Sequence, residues 1–110
     1  MSKVVLITGC RSGFGLGTAV AAAEAGWTVY AGLRDIDTGA RLREAAAGRD
    51  IRPVALDVTK ADEREAVVAQ IRQEQGRLDG LVNNAGIALG GFLEQVEEDV
   101  LRRVFEVNVF

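Results

Sequence analysis

Short apolar runs alternate with amphipathic segments along the chain, and this alternation predicts an α/β protein. Four of the runs are rich in β-branched and aliphatic residues and have the length of buried strands. These runs span residues 4–7, 28–33, 51–56 and 78–82. Because strand and helix alternate with short connections, we expect one parallel, doubly wound sheet with right-handed crossovers.

The segments between the runs show the periodicity of helices. In the first segment, Leu16, Ala19, Val20 and Ala23 recur at the spacing of one helix face, and Gly26 is placed to end the helix. The small residues on this face favour close packing of the helix on the sheet.

The later helices are predicted from start and stop signals. A second helix is expected from Asp37 or Thr38 to near Gly48. Residues 59–62 resemble a capping box and predict a third helix to about Gln75. Its apolar face is expected to consist of Ala66, Val67, Val68 and Ile71, and a last helix starts near Gln95 and carries Val100, Leu101, Val104, Phe105 and Val107. Pro53 interrupts the third run, so pairing of that strand is predicted to begin just after it.

Composition narrows the class of protein. The 110 residues are 48% hydrophobic and carry a net charge of −3, with no basic stripe, which argues against a nucleic-acid partner. One cysteine and no histidine exclude an internal disulfide, a cysteine-based zinc site and a Ser-His-Asp triad. No apolar run approaches the length of a membrane span, so we predict a soluble, cytoplasmic domain without a membrane partner.

The first strand is followed by a glycine-rich turn, Thr-Gly-Cys-Arg-Ser-Gly-Phe-Gly, at residues 8–15. A strand, a glycine turn and a helix start leave backbone N–H groups free at a helix N-terminus, where the helix dipole also favours a phosphate. The strict G-x-G-x-x-G template is not met, because Thr18 stands where its third glycine belongs. We predict that residues 4–17 hold a dinucleotide's pyrophosphate. The alternative is a turn that packs helix on strand without a ligand.

The loop after the second strand is expected to meet the adenosine ribose, where a carboxylate selects NAD and an arginine accommodates the 2′-phosphate of NADP. Arg34 comes directly after this strand and Asp35 follows it, while Arg11 lies in the glycine loop. Since guanidinium groups bind phosphate through paired hydrogen bonds, we predict NADP, with NAD as the alternative. In the competing interpretation both arginines are solvated, and Asp35 or Asp37 caps the next helix.

Polar residues also end the third and fourth strands. Asp57 is placed to reach an adenine edge or to form a turn near Thr59. Asn83 and Asn84 suit turns by composition, but their place at a strand's carboxyl end favours a structural role beside the cofactor. The polar Asn108 lies among apolar residues, either on the solvent face or hydrogen-bonded inside.

Four of these motifs together resemble the short-chain dehydrogenase/reductase family. They are Thr8–Gly15, Leu56-Asp57-Val58, Asn83-Asn84-Ala85-Gly86 and Val107-Asn108-Val109. The resemblance covers the whole chain and implies a Rossmann-like, NAD(P)-binding fold. The form of the glycine turn, with Leu33-Arg34-Asp35, looks like the branch that holds hydroxysteroid and retinol dehydrogenases.

The resemblance implies roles residue by residue. Thr8 and the glycine segment would fix the turn, and amides near Ser12 to Phe14 would bind the pyrophosphate. Asn108 would match the family's catalytic asparagine, which holds a water in a proton relay. The implied cofactor-binding positions are Thr8, Gly9, Arg11, Ser12, Gly13, Phe14, Gly15, Arg34 (with Arg11 for NADP), Asp57 and Val58 (flanking adenine), and Asn83, Ala85 and Gly86 (on the nicotinamide ribose side).

The family's chemistry also needs a Tyr-x-x-x-Lys pair, in which the lysine lowers the pKa of a tyrosine that acts as acid or base. The single tyrosine, Tyr30, lies in the second predicted strand, and no lysine occurs after Lys60. We therefore expect the N-terminal, cofactor-binding half of an oxidoreductase that moves hydride between nicotinamide and a carbonyl or secondary alcohol. On its own this half is expected to be inactive.

The alternative is a non-catalytic nucleotide-binding or assembly module. In either case, apolar surface left uncovered on the fourth strand and the last helix predicts self-association.

Overall fold

The computed structural model describes residues 2–87 and 95–109, which build a four-stranded parallel sheet with helices on both faces. The strands lie in the order β3–β2–β1–β4, so the predicted doubly wound topology is confirmed. Along the chain the elements are β1 (Val4–Ile7), α1 (Gly13–Glu24), β2 (Thr28–Leu33), a 3₁₀ helix (Ile36–Thr38), α2 (Ala40–Ala46), β3 (Ile51–Ala55), α3 (Ala61–Gln75), β4 (Gly80–Val82) and α4 (Glu98–Asn108).

Two apolar clusters cover the two faces of the sheet. On one face, α1 and α2 pack on alternate residues of the strands, with Ala19 and Leu42 fully buried. On the other face, Val67 and Ile71 of α3 cover Leu6 and the ring of Tyr30. Burial on both faces explains why the residues of β1 and β2 are buried without interruption.

Pro53 pairs within β3, which corrects the prediction that pairing begins after it. Ile51, Arg52 and Pro53 are all in register with β2, opposite Val29, Tyr30 and Ala31. The amide of Leu56 donates to Leu33, so alternation turns residues 52, 54 and 56 toward β2 and Pro53 outward. Since β3 is an edge strand, the missing N–H of Pro53 costs no ladder hydrogen bond.

The capping box predicted at the start of α3 does not form. The N-cap residue is Lys60, whose side chain makes no capping hydrogen bond, and the hydroxyl of Thr59 donates to Asp57 instead. The apolar face was also predicted too broadly, because Ala66 and Val68 of α3 are exposed, whereas Val67 and Ile71 are buried.

Three other boundaries differ from the predictions. The segment after β2 forms a 3₁₀ helix first, and α2 begins only at Ala40, past Gly39. β4 begins at Gly80, because the preceding Asp79 uses its carboxylate and its amide to bind the backbone of Val4. α4 begins at Glu98, and none of its residues is buried.

Gly26, predicted to end α1, has a φ of +95° directly after the C-cap residue Ala25, which is the left-handed conformation that terminates helices. The ligand-binding loop after the fourth strand is predicted over residues 83–91, of which residues 88–91 lie outside the described residues. Within the described part of the chain, no helix is both long enough and apolar enough to cross a membrane.

Candidate functional site

The loops at the carboxyl ends of the four strands meet at an open cleft of about 560 Å³. This is where α/β sheets bind ligands, beside the point at which the order of strands reverses. Nine of the predicted positions line the cleft: Gly9, Arg11, Ser12, Phe14, Arg34, Asp57, Val58, Ala85 and Gly86. Thr8, Asn83 and Asn108 line an adjoining cavity of about 450 Å³, and Gly13 and Gly15 line neither.

The N-terminus of α1 opens at this cleft. The N-cap residue Ser12 makes no side-chain capping bond, and the first turn of α1 contains no acidic residue. Among the described residues, the backbone N–H groups of residues 12–15 have no hydrogen-bond acceptor. Free amides at an uncompensated helix N-terminus suit a phosphate group, so the residues present fit the pyrophosphate of a dinucleotide.

The three glycines of the turn serve different purposes. A Cβ on Gly9 would lie 2.8 Å from the Cα of Ala85, and one on Gly15 would lie 2.2 Å from the oxygen of Gly9. These two glycines therefore allow close packing of the turn, as the ligand-free alternative proposed. Gly13 has a φ of +62° and faces open space, so its glycine is favoured by backbone conformation rather than by contact.

Thr8 joins the glycine turn to the loop after β4. Its buried hydroxyl oxygen accepts hydrogen bonds from the amides of Asn84, at 3.0 Å, and Ala85, at 2.9 Å. Asn84 completes the junction by donating from its side chain to the oxygen of Gly9, at 3.1 Å. Asn84 was missing from the predicted binding positions, and its only sequence signal was the pair of adjacent asparagines.

Arg11 and Arg34 both line the cleft with exposed side chains. Neither forms an ion pair or a side-chain hydrogen bond with any described residue. Asp35 differs, because its carboxylate accepts a hydrogen bond from the amide of Asp37 at 3.0 Å and caps the 3₁₀ helix. The predicted capping role of Asp35 is therefore observed, on the 3₁₀ helix rather than on α2.

Asp57 forms the turn that one of its two interpretations predicted. One carboxylate oxygen accepts from both the hydroxyl and the amide of Thr59, at 2.7 and 3.0 Å. These hydrogen bonds lower the pKa of Asp57, and the positive charges of Lys60 and Arg34 act in the same direction. Asp57 is thus held as a carboxylate at the edge of the cleft.

Asn108 anchors α4 to the loop after β4. Its side-chain oxygen accepts from the amide of Ile87 at 2.8 Å, and its side-chain nitrogen donates to the Ile87 oxygen at 2.7 Å. Both polar atoms of the amide are therefore engaged by backbone. The structure places this predicted catalytic residue next to Gly86 and the cleft, in a role that orients the loop.

The two residues with reactive side chains, Cys10 and Tyr30, do not line the cleft. Cys10 is buried, its thiol donates to the oxygen of Ile7, and burial raises its pKa to about 11. The hydroxyl of Tyr30 donates to Glu74 of α3 at 2.6 Å, and burial followed by this hydrogen bond raises its pKa. Neither group is poised to ionise near neutral pH.

A parallel α/β sheet with a glycine turn, a basic second loop and a cleft at its carboxyl edge defines a dinucleotide-binding domain of the Rossmann type. Comparison with known proteins identifies the family. The family model described as short chain dehydrogenase matches residues 3–110. The chain therefore belongs to the short-chain dehydrogenase family.

Curated relatives and solved structures agree with this assignment. The chain is 45% identical to human 17-beta-hydroxysteroid dehydrogenase type 1, over 96% of the chain and 34% of that protein. It is 38% identical to the 3-oxoacyl-[acyl-carrier-protein] reductase FabG of Thermotoga maritima, over 97% of the chain and 44% of that protein. The chain thus spans well under half the length of these relatives.

Among solved structures, a short-chain dehydrogenase from Streptomyces avermitilis matches with a TM-score of 0.87 and 40% identity, over 100% of the chain and 40% of that structure. The 3-ketoacyl-(acyl-carrier-protein) reductase from Brucella melitensis, complexed with NADH, matches with a TM-score of 0.87 and 38% identity, over 97% of the chain and 44% of that structure. Family membership and a Rossmann-like cofactor fold are therefore confirmed.

Proposed function

We propose that this chain is the N-terminal, cofactor-binding part of a short-chain oxidoreductase that uses NADP(H). The observation that carries the preference for NADP(H) is that two arginines, Arg11 and Arg34, line one cleft and have no ion-pair partner among the described residues. Asp35, the carboxylate that would favour NAD, uses one of its two oxygens to cap the 3₁₀ helix. The free amides of residues 12–15 provide the pyrophosphate site.

Bound in this cleft, the dinucleotide supplies or accepts hydride at its nicotinamide ring. The residues of this chain bind and orient it. Arg34 and Arg11 would hold the 2′-phosphate, Asp57 and Val58 would flank the adenine, and the 83–86 loop would line the nicotinamide ribose side. The names of the relatives, a hydroxysteroid dehydrogenase and an oxoacyl reductase, support a carbonyl or secondary alcohol as the substrate class of the whole enzyme.

The cofactor proposal is tested by titrating NADPH and NADH into the parent chain and the Arg34→Ala variant. Loss of a charge-assisted hydrogen bond to phosphate costs about 1.5–3 kcal/mol, so NADPH affinity should fall by about 10- to 150-fold. NADH affinity should change by less than about twofold, because NADH lacks the phosphate.

Arg41→Ala is the matched control, since Arg41 is an exposed arginine of α2 that does not line the cleft. It should leave both affinities unchanged. Equal loss of NADPH and NADH affinity in Arg34→Ala, or no loss of either, would refute the 2′-phosphate role.

A non-catalytic nucleotide-binding role for the 110-residue chain is favoured by the position of Tyr30. This single tyrosine is buried in β2 and hydrogen-bonded to Glu74, so it cannot act as an acid or base at the cleft. We propose that the chain binds the dinucleotide but does not oxidise or reduce substrates by itself.

We also propose that the chain self-associates through its exposed apolar residues. Leu81 of β4 is 55% exposed and Phe105 of α4 is 48% exposed, with Val100 and Leu101 exposed beside it on α4. Exposed apolar side chains of this size favour association between proteins.

A further inference from the structure

The loop that follows β2 contains the charged residue Asp35, and membership of the family does not define its role. Arg34 and Asp35 are adjacent in sequence and both line the cleft, but only Arg34 is free of hydrogen bonds to the described residues. A carboxylate at this place has two possible uses: it accepts a hydrogen bond from a ribose hydroxyl, or it shapes the loop.

Asp35 holds the 3₁₀ helix at three points. Its carboxylate accepts from the amide of Asp37 at 3.0 Å, and its backbone oxygen accepts from the amide and the hydroxyl of Thr38, at 3.0 and 2.7 Å. The turn is further tied to α2, because the guanidinium of Arg43 donates to the oxygen of Ile36 at 3.0 Å.

The backbone of Arg34 is therefore fixed on both sides. Before it, the oxygen of Leu33 accepts the last ladder hydrogen bond from Leu56, at 2.7 Å. After it, the capped turn begins at Asp35. The turn also folds back on β2, since a Cβ on Gly39 would lie 2.6 Å from the side chain of Leu33.

We propose that Asp35 is a positioning residue for cofactor selection: its carboxylate holds the 36–38 turn and thereby directs Arg34 toward the 2′-phosphate, and it does not contact the ribose. This inference rests on the proposed function, because it requires Arg34 to bind the phosphate of NADP(H). It differs from the ordinary expectation for a carboxylate after the second strand, which is to bind the ribose of NAD.

Two substitutions of Asp35 separate the capping hydrogen bond of its side chain from its negative charge. Asp35→Asn removes the charge but keeps a side-chain oxygen that caps as well as aspartate does, whereas Asp35→Ala removes both. Asp37→Asn is the control for charge, because it removes one negative charge from the same turn, and only the backbone amide of Asp37 takes part in the cap.

Affinities for NADPH and NADH are measured by titration for the parent and the three variants. We expect Asp35→Ala to bind NADPH about fivefold more weakly than Asp35→Asn, as for the loss of one capping hydrogen bond. Asp35→Asn and Asp37→Asn should bind NADPH at least as tightly as the parent. NADH affinity should change by less than about twofold in all of them.

Amide hydrogen exchange provides a readout that does not need the cofactor. In Asp35→Ala the amides of Asp37 and Thr38 should exchange faster than in the parent, and Asp35→Asn should restore their protection. Equal NADPH affinity in Asp35→Ala and Asp35→Asn would overturn the positioning role. A loss of NADH affinity in both would instead assign a direct ribose contact.

The two proposals fail in different ways. If the parent binds neither dinucleotide, or if Arg34→Ala keeps full NADPH affinity, the proposed cofactor function is wrong, and the inference falls with it. If the parent selects NADPH through Arg34 while the two Asp35 variants behave alike, only the positioning role of Asp35 is wrong.

Discussion

At the scale of single residues, glycine is required for different physical reasons at neighbouring positions of the turn. Gly9 and Gly15 allow backbone and side chains to approach closely, whereas Gly13 meets a requirement of backbone conformation. Residue identity predicted a glycine-rich turn but could not separate these reasons, because the crowding depends on how the turn folds: Gly15 meets the oxygen of Gly9 and the side chain of Asn84, and Gly9 meets residues 84 and 85. Asn84 was expected to have a structural role beside the cofactor, but its partner could not be predicted, since the oxygen of Gly9 is 75 positions away.

Substitution of Gly15 tests this packing directly. A Cβ in Gly15→Ala would lie 2.2 Å from the Gly9 oxygen and 2.5 Å from the side-chain nitrogen of Asn84. We expect the free energy of unfolding, measured by urea denaturation, to fall by about 3 kcal/mol, because backbone cannot yield as a flexible side chain does.

Gly17→Ala is the matched control in the same helix, where an added Cβ meets nothing within 4 Å. It should raise the free energy of unfolding by about 0.5–1 kcal/mol, through the better helix propensity of alanine. Similar stability of the two variants would contradict the close packing of Gly15 against the Gly9 oxygen and the side chain of Asn84.

At the scale of elements, periodicity together with start and stop signals predicted the strands and α-helices of the described residues, but not the 3₁₀ helix, and several boundaries were wrong. The boundaries depend on hydrogen bonds that join distant parts of the chain. Asp79 sets the start of β4 because it binds the backbone of Val4, and Asp35 inserts a 3₁₀ helix before α2. Neither bond leaves a periodic signal in the local sequence, so local reasoning placed both boundaries too early.

The carboxylate of Asp79 links β4 to β1 and also binds Arg77 at 2.6 and 2.8 Å. The hydrogen bonds from Arg77 and Val4 lower its pKa below the ordinary value of 3.8. Because the charged form is favoured in the folded state, the stabilisation is complete above pH 3.8 and is lost as the pH falls through the lower, folded pKa.

Asp79→Asn should therefore be less stable than the parent at pH 7, and the difference should shrink as the pH falls toward 3. The measurement is the urea midpoint of unfolding between pH 7 and pH 3. Glu65→Gln, at an exposed position of α3, should keep the pH dependence of the parent. Parallel curves for Asp79→Asn and the parent would show that this link does not depend on charge.

At the scale of the whole molecule, the alternation of elements was sufficient to predict the sheet and the edge at which the site lies. The cleft followed from topology, because parallel strands bring their carboxyl ends together. What could not be predicted is which polar groups are free to bind. Asp35 and Asp57 each use a carboxylate oxygen in a local turn, whereas the guanidinium of Arg34 forms no hydrogen bond with a described residue. Only the folded loops reveal this difference.

Self-association is the prediction that belongs to this scale. Sedimentation velocity of the parent chain should show species whose proportion rises with concentration. Phe105→Gln should reduce that proportion, because it removes a large exposed apolar side chain from α4, while Glu106→Gln beside it should not. A monomer at all concentrations would contradict the proposed association.

The position of Pro53 in β3 makes the two edges of the sheet different. With its ring in the position of an outward-facing amide, β3 lacks one of the donors that a further strand would need, so pairing on the outer side of β3 is disfavoured. Across the sheet, β4 carries no proline and, within the described residues, pairs with β1 alone. A further strand, whether from a fused polypeptide or from another molecule, would therefore find a more complete set of hydrogen-bond donors beside β4 than beside β3.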